Sequence, residues 1–438
     1  MVRGDGMTTF RPLRGMRDFL PKHAERIRYV EQVSREVAQL YGYKEVITPV
    51  MERYELLAAK SGEEIRERMY AFEDMGGRRV ALRPEFTASI ARLVATKMKN
   101  APKPLKLFCV GSLYRYDEPQ YGRFREFWQS DYELLGSSRP EADAEILAIT
   151  NDLMRRLGFR SYYIKIGHTG ILRGILSEEG IIEEQQNRIM QLLDKKRWEE
   201  ALTVVRGLGA PQRCITALKR ILKTRGNDTS RVLKGAKESV QNYESSVAAV
   251  ENLQEIIQLT REGGTAFETL IEAGFARGLE YYTGMIFEAY VPEMDIALGG
   301  GGRYDKLIEL FGGEPTPAVG VAPGIDRLVL AMKKQRVPVK IRREKRVMVI
   351  PVDEELKTKA FELSTMLRRA GIPTEVEVMG RTVSKALSDA DRRAVAYAIV
   401  IGPEELKEGK VVLRNMEKRE QRVVEIKNLL EEILGSTS

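Results

Sequence analysis

The first part of the chain alternates between helical and strand-like patterns of apolar residues. Apolar positions recur at helical spacing over residues 22–40, and a strand-like stretch, YGYKEVITPV, follows with Pro49 near its end. The segment ALRPEFTASIARLVATKM predicts a strand, a turn at Pro84 and an amphipathic helix. Two further strand-like stretches, KLFCVGSLYRYD and REFWQSDYELLG, are joined by a short loop and predict a long antiparallel hairpin. Residues 141–157 again show helical spacing.

The middle of the chain has a different pattern. Residues 170–272 are charged and helical in character, with no convincing strand. Strand-like stretches then return in the order LEYYTGMIFEAYV, IALGGGGRYDKLIELF and AVGVAPGIDRLVLAMKK. A helical block between two strand-rich blocks indicates an insertion into a single α+β domain.

A basic segment separates this domain from the C-terminal part. Residues 332–346 carry eight Lys or Arg against one Glu, with a proline in the middle, and predict a linker. Beyond it, strands and helices alternate in a β-α-β-α-β rhythm, which predicts a small α/β domain with a largely parallel sheet. The predicted boundaries are 1–169 and 273–335 for the two parts of the α+β domain, 170–272 for the insertion and 345–438 for the C-terminal domain.

Composition narrows the class of protein. The chain has 438 residues, enough for two or three domains, and 43% apolar with 31% charged residues is typical of soluble globular proteins. No apolar run approaches the ~18 residues of a membrane span, and the N-terminus shows no secretory signal. The two cysteines, Cys109 and Cys214, lack paired-ligand spacing. That pattern argues against structural zinc or disulfides and fits a reducing cytoplasm.

The positive charge is concentrated in the predicted insertion. The chain carries a net charge of +8, and residues 211–238 contain eight basic residues against two acids. Such a cluster suits a polyanion, because each phosphate contact releases counterions. A solvated helix face is the alternative interpretation of the same cluster.

Histidine is nearly absent, which limits the chemistry. His23 and His168 are the two histidines of the chain. Acid–base catalysis by a histidine pair is therefore not available, and a Ser/His/Asp triad is disfavoured. Arginines lie among glycines and tyrosines, and this combination indicates phosphate chemistry.

The predicted hairpin carries the first group of candidate residues. Its loop region holds Arg115, Arg123 and Arg125, whose guanidinium groups can bind phosphate oxygens through paired hydrogen bonds. Gln129 and Glu133 lie four residues apart on the return strand, so both face the same side of the sheet. A basic surface hairpin is the simpler alternative.

Three further motifs follow in the second strand-rich block. Arg277 precedes the strand-like LEYYTG, and four glycines in GGGGRYD allow a close approach of the backbone to a ligand. The glycine run lacks the spacing of a dinucleotide site and of a P-loop. Arg327 lies in the first turn of the predicted last helix of this block, where an anion would relieve its conflict with the helix dipole.

These motifs together resemble class II aminoacyl-tRNA synthetases and, within that class, the histidine enzymes. RGMRDFLP looks like their N-terminal signature, YKEVITPV like motif 1, the YRYDEPQYGRFREFWQ hairpin like motif 2 and VGVAPGIDRL like motif 3. ARGLEYYTG and GGGRYD resemble the two histidine-specific signatures, which are the most specific of these patterns. The resemblance covers nearly the whole chain. It implies a class II catalytic domain with an antiparallel sheet and a helical insertion, followed by an α/β anticodon-binding domain.

The resemblance also implies roles for individual residues. Arg115 would hold the α-phosphate of ATP, and Arg123 and Arg327 the outer phosphates. Arg277 would contact both the histidine carboxylate and the α-phosphate. The remaining positions would bind histidine: Glu85, Thr87 and Gln129 at its amino group, and Glu133, Tyr282 and Tyr304 around its imidazole. The implied substrates are ATP with Mg²⁺, L-histidine and tRNA(His), in a cytoplasmic homodimer without zinc and without membrane attachment.

Three departures from common family patterns point to an archaeal-type variant. The chain has Glu280 in GLEYYTG, Phe86 in RPEFT and APGIDRL in the motif 3 region. Two alternatives remain, one from a different class of protein and one a class II synthetase for another amino acid. A non-catalytic relative regulates ATP phosphoribosyltransferase but lacks the anticodon-binding domain, and synthetases for proline or threonine use zinc or a differently shaped pocket. The arginines, the C-terminal domain and the Tyr/Glu signatures favour the histidine enzyme.

Overall fold

The computed structural model describes residues 10–59, 62–339 and 345–435. The chain divides into two compact units, Met1–Lys340 and Ile341–Ser438. Over the described ranges, no helix combines the length and the apolar character needed to cross a bilayer.

The first unit contains thirteen helices and twelve strands within its described residues. The helices are α1 (Pro21–Leu40), α2 (Tyr54–Ala58), α3 (Glu63–Glu67), α4 (Thr87–Lys97), α5 (Pro140–Leu157), α6 (Thr169–Glu178), α7 (Glu183–Asp194), α8 (Trp198–Gly207), α9 (Gln212–Lys223), α10 (Thr229–Ser239), α11 (Glu244–Glu262), α12 (Leu307–Leu310) and α13 (Ile325–Lys334). The strands are β1 (Lys44–Glu45), β2 (Met51–Arg53), β3 (Ala71–Glu73), β4 (Arg79–Leu82), β5 (Leu105–Tyr114), β6 (Glu126–Leu135), β7 (Tyr163–His168), β8 (Arg225–Gly226), β9 (Glu268–Glu272), β10 (Met285–Tyr290), β11 (Gly299–Arg303) and β12 (Ala318–Pro323).

Most of these strands form one large sheet. Its nine strands follow the order β1-β5-β6-β12-β11-β10-β7-β9-β8. The pairings β1–β5 and β7–β9 are parallel and the other six are antiparallel, so the predicted antiparallel sheet is confirmed. A separate small sheet has the order β2-β4-β3.

The long hairpin predicted from the sequence is present. Strands β5 and β6 pair over their full lengths, from Leu105 opposite Leu135 to Tyr114 opposite Glu126. Alternation along β6 separates two environments. Tyr132 and Leu134 pack into the core with α1 and α5, and the Tyr132 hydroxyl donates a hydrogen bond to the Ser34 carbonyl at 2.9 Å. Gln129 and Glu133, on the opposite face of β6, line a cavity.

The helical middle of the chain is interrupted at its C-terminal end. Helices α6 to α11 occupy most of residues 169–262, but β9 (Glu268–Glu272) pairs in parallel with β7. The prediction of no strand in residues 170–272 is therefore wrong, since β9 and the two-residue strand β8 (Arg225–Gly226) both lie there, and β7 itself was not predicted. The strand β9 spans five residues, which is too short for a clear periodicity in the sequence.

Two predicted strands are shorter than their sequence patterns indicated. In YGYKEVITPV, β1 comprises Lys44–Glu45 at the end of the sheet. In LEYYTGMIFEAYV, β10 begins at Met285, and residues 279–284 form a loop that buries Tyr281 and Tyr282. Apolar and aromatic side chains in a loop that lines a pocket give the same pattern as a buried strand.

The second unit is a small α/β domain with a mixed sheet. Its strands are β13 (Val347–Pro351), β14 (Thr374–Val376), β15 (Tyr397–Ile401), β16 (Lys410–Asn415) and β17 (Glu420–Glu425), with helices α14 (Lys357–Arg369), α15 (Val383–Arg392), α16 (Pro403–Lys407) and α17 (Leu429–Leu434). In the order β14-β13-β15-β16-β17, the first three strands are parallel and the last two pair antiparallel. The β-α-β-α-β rhythm is confirmed, whereas the two antiparallel strands were missed.

Candidate active site

One cavity of about 350 Å³ lies against the large sheet of the first unit. All the residues to which the family resemblance gives a ligand-binding role line it, although they come from distant parts of the chain. They are Glu85, Thr87, Arg115, Arg123, Gln129, Glu133, Arg277, Tyr282, Tyr304 and Arg327. The structure thus brings the predicted residues together, while their individual roles stay predictions.

Glu133 lies at the floor of the cavity and is held from two sides. Thr87, the first residue of α4, donates a hydrogen bond to one carboxylate oxygen at 2.9 Å. Tyr304, which follows β11, donates to the other oxygen at 2.5 Å. Gly320 lies opposite Glu133 in the β6–β12 register, where a Cβ atom would fall 1.6 Å from a Glu133 oxygen. Glycine at this position therefore makes room for the carboxylate.

Burial determines the ionisation of Glu133. Desolvation raises the pKa of this carboxyl to about 7, while the hydrogen bonds from Tyr304 and Thr87 oppose the shift. A ligand that donates an N–H group to this oxygen pair would favour the ionised form.

Three tyrosines form the wall beside this carboxylate. The rings of Tyr281 and Tyr282 have centroids 4.9 Å apart, and Tyr281 and Tyr304 meet edge to face at 5.8 Å. The Tyr281 hydroxyl donates to buried Glu85 at 3.2 Å. Burial raises the pKa of Glu85, and the positive charge of Arg115 opposes the shift. This half of the cavity is aromatic and acidic.

Arg277 is the central cation of the other half of the cavity. Its Nη1 atom lies 3.0 Å from an oxygen of Glu288, whose other oxygen accepts from Lys165 at 2.8 Å and from the Tyr290 hydroxyl at 2.6 Å. Burial lowers the pKa of the Arg277 guanidinium, whereas the nearby Tyr282 and Glu288 raise it. The second effect is larger, so the pKa lies above its ordinary value. A Cβ atom at Gly300 would fall 2.1 Å from Arg277 Nη1, so the glycine strand β11 leaves the space that this side chain occupies.

The remaining arginines extend the positive region. Arg327, in the first turn of α13, donates to the Ala297 carbonyl at 2.9 Å and the Gly122 carbonyl at 3.2 Å. Burial, followed by repulsion from Arg115, Arg123 and Arg277, lowers the pKa of Arg327 to about 10. The guanidinium is still charged at neutral pH, and four cations facing one cavity call for a polyanionic ligand.

Arg125 does not belong to this group. It is buried, its guanidinium packs 3.7 Å from the centre of the Tyr116 ring, and its Nε donates to the Asp117 carbonyl at 3.1 Å. The hypothesis that Arg125 presents a phosphate-binding fork with its neighbours is therefore wrong, because this side chain anchors the hairpin loop instead.

Glu288 and Asp131 are among the carboxylates of the cavity that the sequence analysis did not identify. Glu288 is the acidic residue in the otherwise apolar strand β10, which was the available signal. Asp131 lies midway between Gln129 and Glu133 on β6, so strand alternation places all three on one face. The cavity is thus more acidic at its floor than the sequence analysis assumed.

The described residues contain no group of three or more His, Cys, Asp or Glu side chains that could hold a metal ion. Cys109 and Cys214 are buried free thiols.

The architecture is that of a class II aminoacyl-tRNA synthetase: a catalytic domain built on a largely antiparallel sheet, followed by a mixed α/β anticodon-binding domain. The chain belongs to the histidyl-tRNA synthetase family. Residues 15–328 match that family, and residues 346–435 match the anticodon binding domain family.

Similar proteins agree with this assignment over nearly the full chain. The histidine–tRNA ligase of the archaeon Methanocaldococcus jannaschii is 41% identical over 96% of this chain and 98% of its own length. That of Thermococcus kodakarensis is 38% identical, over 97% and 98%. Histidyl-tRNA synthetase from Nostoc sp. PCC 7120 superimposes with a TM-score of 0.74 at 25% identity, covering 98% of this chain and 100% of that one.

A further structural neighbour is described in terms of two functions. This protein, from Bacillus halodurans, is described as an ATP phosphoribosyltransferase regulatory subunit/histidyl-tRNA synthetase. It has a TM-score of 0.74 and 26% identity, and the alignment covers 88% of this chain and 97% of that chain.

Proposed function

We propose that this chain is a histidine–tRNA ligase that joins L-histidine to ATP as an adenylate and then transfers the histidyl group to tRNA(His). The observation that carries the proposal is a single cavity with an acidic, aromatic half and an arginine-rich half. Histidine and ATP supply the complementary groups, namely an imidazole with an ammonium group on one side and a carboxylate with a triphosphate on the other. ATP enters as its Mg²⁺ complex, with the ion carried mainly by the phosphates.

Glu133, Tyr282 and Tyr304 bind the imidazole. A buried carboxylate and phenols can pair both ring nitrogens, and an amino acid without those nitrogens leaves these buried polar groups unpaired. Glu85, Thr87 and Gln129 bind the ammonium group. This arrangement selects for histidine by hydrogen bonding, which discriminates more strongly than pocket size alone.

The arginines stabilise the first chemical step, the formation of the adenylate. The histidine carboxylate attacks the α-phosphorus of ATP, the bond to the bridging oxygen breaks, and diphosphate leaves. Arg277 contacts the carboxylate and the α-phosphate, and Arg115 contacts the α-phosphate, so that their charges reduce the repulsion between two anions. Arg123 and Arg327 hold the outer phosphates. The nucleophile is already ionised, so the step requires no general base.

The second step uses the tRNA. A hydroxyl of its terminal ribose attacks the carbonyl carbon of the adenylate, the bond to the phosphate breaks, and AMP leaves. The insertion, residues 170–272, contacts the tRNA through its basic face, and the domain of residues 345–438 binds the anticodon. The match of residues 346–435 to the anticodon binding domain family supports the role of the second domain. The exposed cations of residues 211–238 support the contact of the insertion with tRNA.

The regulatory subunit of ATP phosphoribosyltransferase is the alternative function. The Bacillus halodurans neighbour gives it weight. Arg115, Arg123, Arg277 and Arg327 all face the cavity here, and an anticodon-binding domain follows, which favours the ligase. The test is ATP–diphosphate exchange driven separately by each of the twenty amino acids. Exchange with histidine alone supports the ligase, whereas no exchange with any amino acid contradicts it.

The active form is proposed to be a homodimer, as the resemblance of YKEVITPV to motif 1 implies. In support, Ile47 in this segment is 91% exposed, and Val50 and Met51 are also exposed. Exposed apolar side chains close together in sequence are typical of an interface. Sedimentation of the unaltered chain and of Ile47→Asp tests this. A dimer that dissociates in the variant supports the interface, and a fully active monomer of the unaltered chain contradicts it.

A further inference from the structure

Asp131 is the most unusual acidic residue of the cavity. It is fully buried on β6, it lines the cavity, and neither of its carboxylate oxygens has a hydrogen-bond partner within the described residues. An unpaired buried carboxylate destabilises the folded protein unless a ligand or an opposite charge compensates it. The side chain therefore calls for a functional explanation.

The neighbouring cations Arg115 and Arg83 only partly offset the burial of Asp131, and neither donates a hydrogen bond to its carboxylate. Arg83 is the buried cation on this side, but it donates to the Thr48 carbonyl at 2.7 Å and the Ser112 carbonyl at 3.1 Å. Its guanidinium also lies over the ring of Phe86, 4.4 Å from the centroid. Burial, followed by repulsion from Glu133 and Glu85, holds the pKa of Asp131 well above its usual range. A bound cation would reverse this shift.

The position along β6 indicates which cation fits. Strand geometry places Asp131 about 7 Å from both Gln129 and Glu133 on the same face. The Gln129 side-chain oxygen is also buried without a partner in the described part of the chain. Two neighbouring unpaired acceptors match a ligand group with several N–H donors and a positive charge.

We propose that Asp131 is a further substrate-binding residue, which accepts a charge-assisted hydrogen bond from the α-ammonium group of histidine. This inference rests on the proposed function. A histidine whose imidazole contacts Glu133 and whose carboxylate contacts Arg277 has its α-carbon between these ends. Its ammonium group then faces the middle of the β6 surface, where Asp131 lies.

The test compares two probes that lack one group each. Histamine keeps the ammonium and imidazole groups, and 3-(imidazol-4-yl)propanoate keeps the carboxylate and imidazole. Binding of both is measured by calorimetry to the unaltered chain, to Asp131→Asn and to Ser130→Ala. Ser130 is buried next to Asp131, does not line the cavity, and its hydroxyl is also unpaired within the described residues, so it serves as the matched control.

Asp131→Asn is expected to weaken histamine binding by about 10- to 100-fold, the effect of losing a charged hydrogen bond. Binding of the propanoate should change by less than about 3-fold, and Ser130→Ala should bind both probes as the unaltered chain does. Equal weakening of both probes, or no weakening of histamine, would overturn the proposal. If Asp131→Asn does not fold, Asp131→Ser is judged by the same two outcomes.

Failure of the proposed function has a different signature. An unaltered chain that binds neither histidine nor histamine contradicts histidine recognition itself, whatever Asp131 does. A chain that binds both normally, with Asp131→Asn indistinguishable from it, contradicts the role of Asp131 alone.

Discussion

Arg277 and Glu288 face each other beside a glycine strand. Arg277 Nη1 lies 3.0 Å from a Glu288 oxygen, and Gly300 leaves the space into which this guanidinium extends. Lys165 contacts the other Glu288 oxygen at 2.8 Å, so the carboxylate is shared between two cations. Glu288 therefore fixes the direction of the guanidinium without fully neutralising the positive half of the cavity.

This pair leads to the first prediction. Arg277→Ala should reduce kcat of histidine-dependent exchange by at least about 100-fold, because it removes a cation from the reacting phosphate. Glu288→Gln should reduce kcat by a smaller factor, about 10-fold, because the guanidinium remains but is less well oriented. Both are measured by ATP–diphosphate exchange, with thermal unfolding as a check on folding. Arg125→Lys, outside the cavity, is the control, and near-normal exchange in Arg277→Ala would rule out the assigned role.

The second prediction concerns imidazole recognition. Glu133→Ala should raise the KM for histidine far more than the KM for ATP, by about 10- to 100-fold, since a buried N–H loses its acceptor. Gly320→Ala should have the same selective effect without altering the carboxylate itself, because the added Cβ would lie 1.6 Å from a Glu133 oxygen. Equal increases for both substrates in the two variants would argue against this placement of the imidazole.

The third prediction uses a buried histidine, His168, that does not line the cavity. His168 Nδ1 accepts from the Gly170 backbone N–H at 3.0 Å at the start of α6, and Nε2 pairs with Asn252 at 3.2 Å. Burial lowers the pKa of His168 to about 4. The unfolded chain takes up this proton at higher pH, near 6.5, so the stability contributed by neutral His168 is lost as pH falls from about 6.5 to 4.

The pKa shift of His168 corresponds to a loss of about 3 kcal/mol in unfolding free energy over that pH window. His168→Asn retains a side-chain oxygen that can accept from Gly170, but it does not titrate. Urea unfolding at pH 7 and pH 4.5 should therefore show a smaller loss of unfolding free energy in the variant than in the unaltered chain. An identical loss in both proteins would mean that His168 titrates normally.

Periodicity in the sequence predicted those parts of the fold and of the site that are formed by a single continuous segment of the chain. The β5–β6 hairpin and α1 follow from periodicity, and the cavity residues Gln129 and Glu133 follow from strand alternation. Residues 279–284 looked like a strand because Tyr281 and Tyr282 are buried, but they are buried against a cavity formed by other segments. The partnership of Arg277 with Glu288 and the unpaired state of Asp131 depend on long-range packing, which no local window contains.

The fourth prediction concerns the basic face of the insertion. Helix α9 buries Cys214, Leu218 and Ile221 on one side and exposes Lys219, Arg220 and Lys223 on the other. No ion pair involves these three cations among the described residues, unlike Lys237, which pairs with Glu251 at 2.7 Å. Exposed, unpaired cations on one helix face are available to bind phosphates.

Replacing Lys219, Arg220 and Lys223 with Ala should weaken tRNA charging and flatten its dependence on salt, because fewer counterions are released on binding. Exchange without tRNA should be unchanged. Lys237→Ala serves as the control in the same domain. If exchange falls as much as charging, these residues support the fold rather than the tRNA contact.

The fifth prediction separates recognition from chemistry. Every residue assigned to the cavity lies before Lys340, and the second unit has its own apolar clusters on both faces of its sheet. A chain that ends near Lys340 should therefore retain histidine-dependent exchange. It should charge tRNA poorly, mainly through weaker tRNA binding, because a second contact on the same tRNA benefits from a high effective concentration.

An alternative is that the second unit also supports the dimer. Exchange and charging are therefore measured on one preparation of the truncated chain, together with its sedimentation. Retained exchange, retained dimer and weakened charging are the expected results, since adenylation uses the first unit and anticodon binding uses the second. Loss of both activities together with the dimer would assign the domain a structural role, and unimpaired charging would remove the anticodon role altogether.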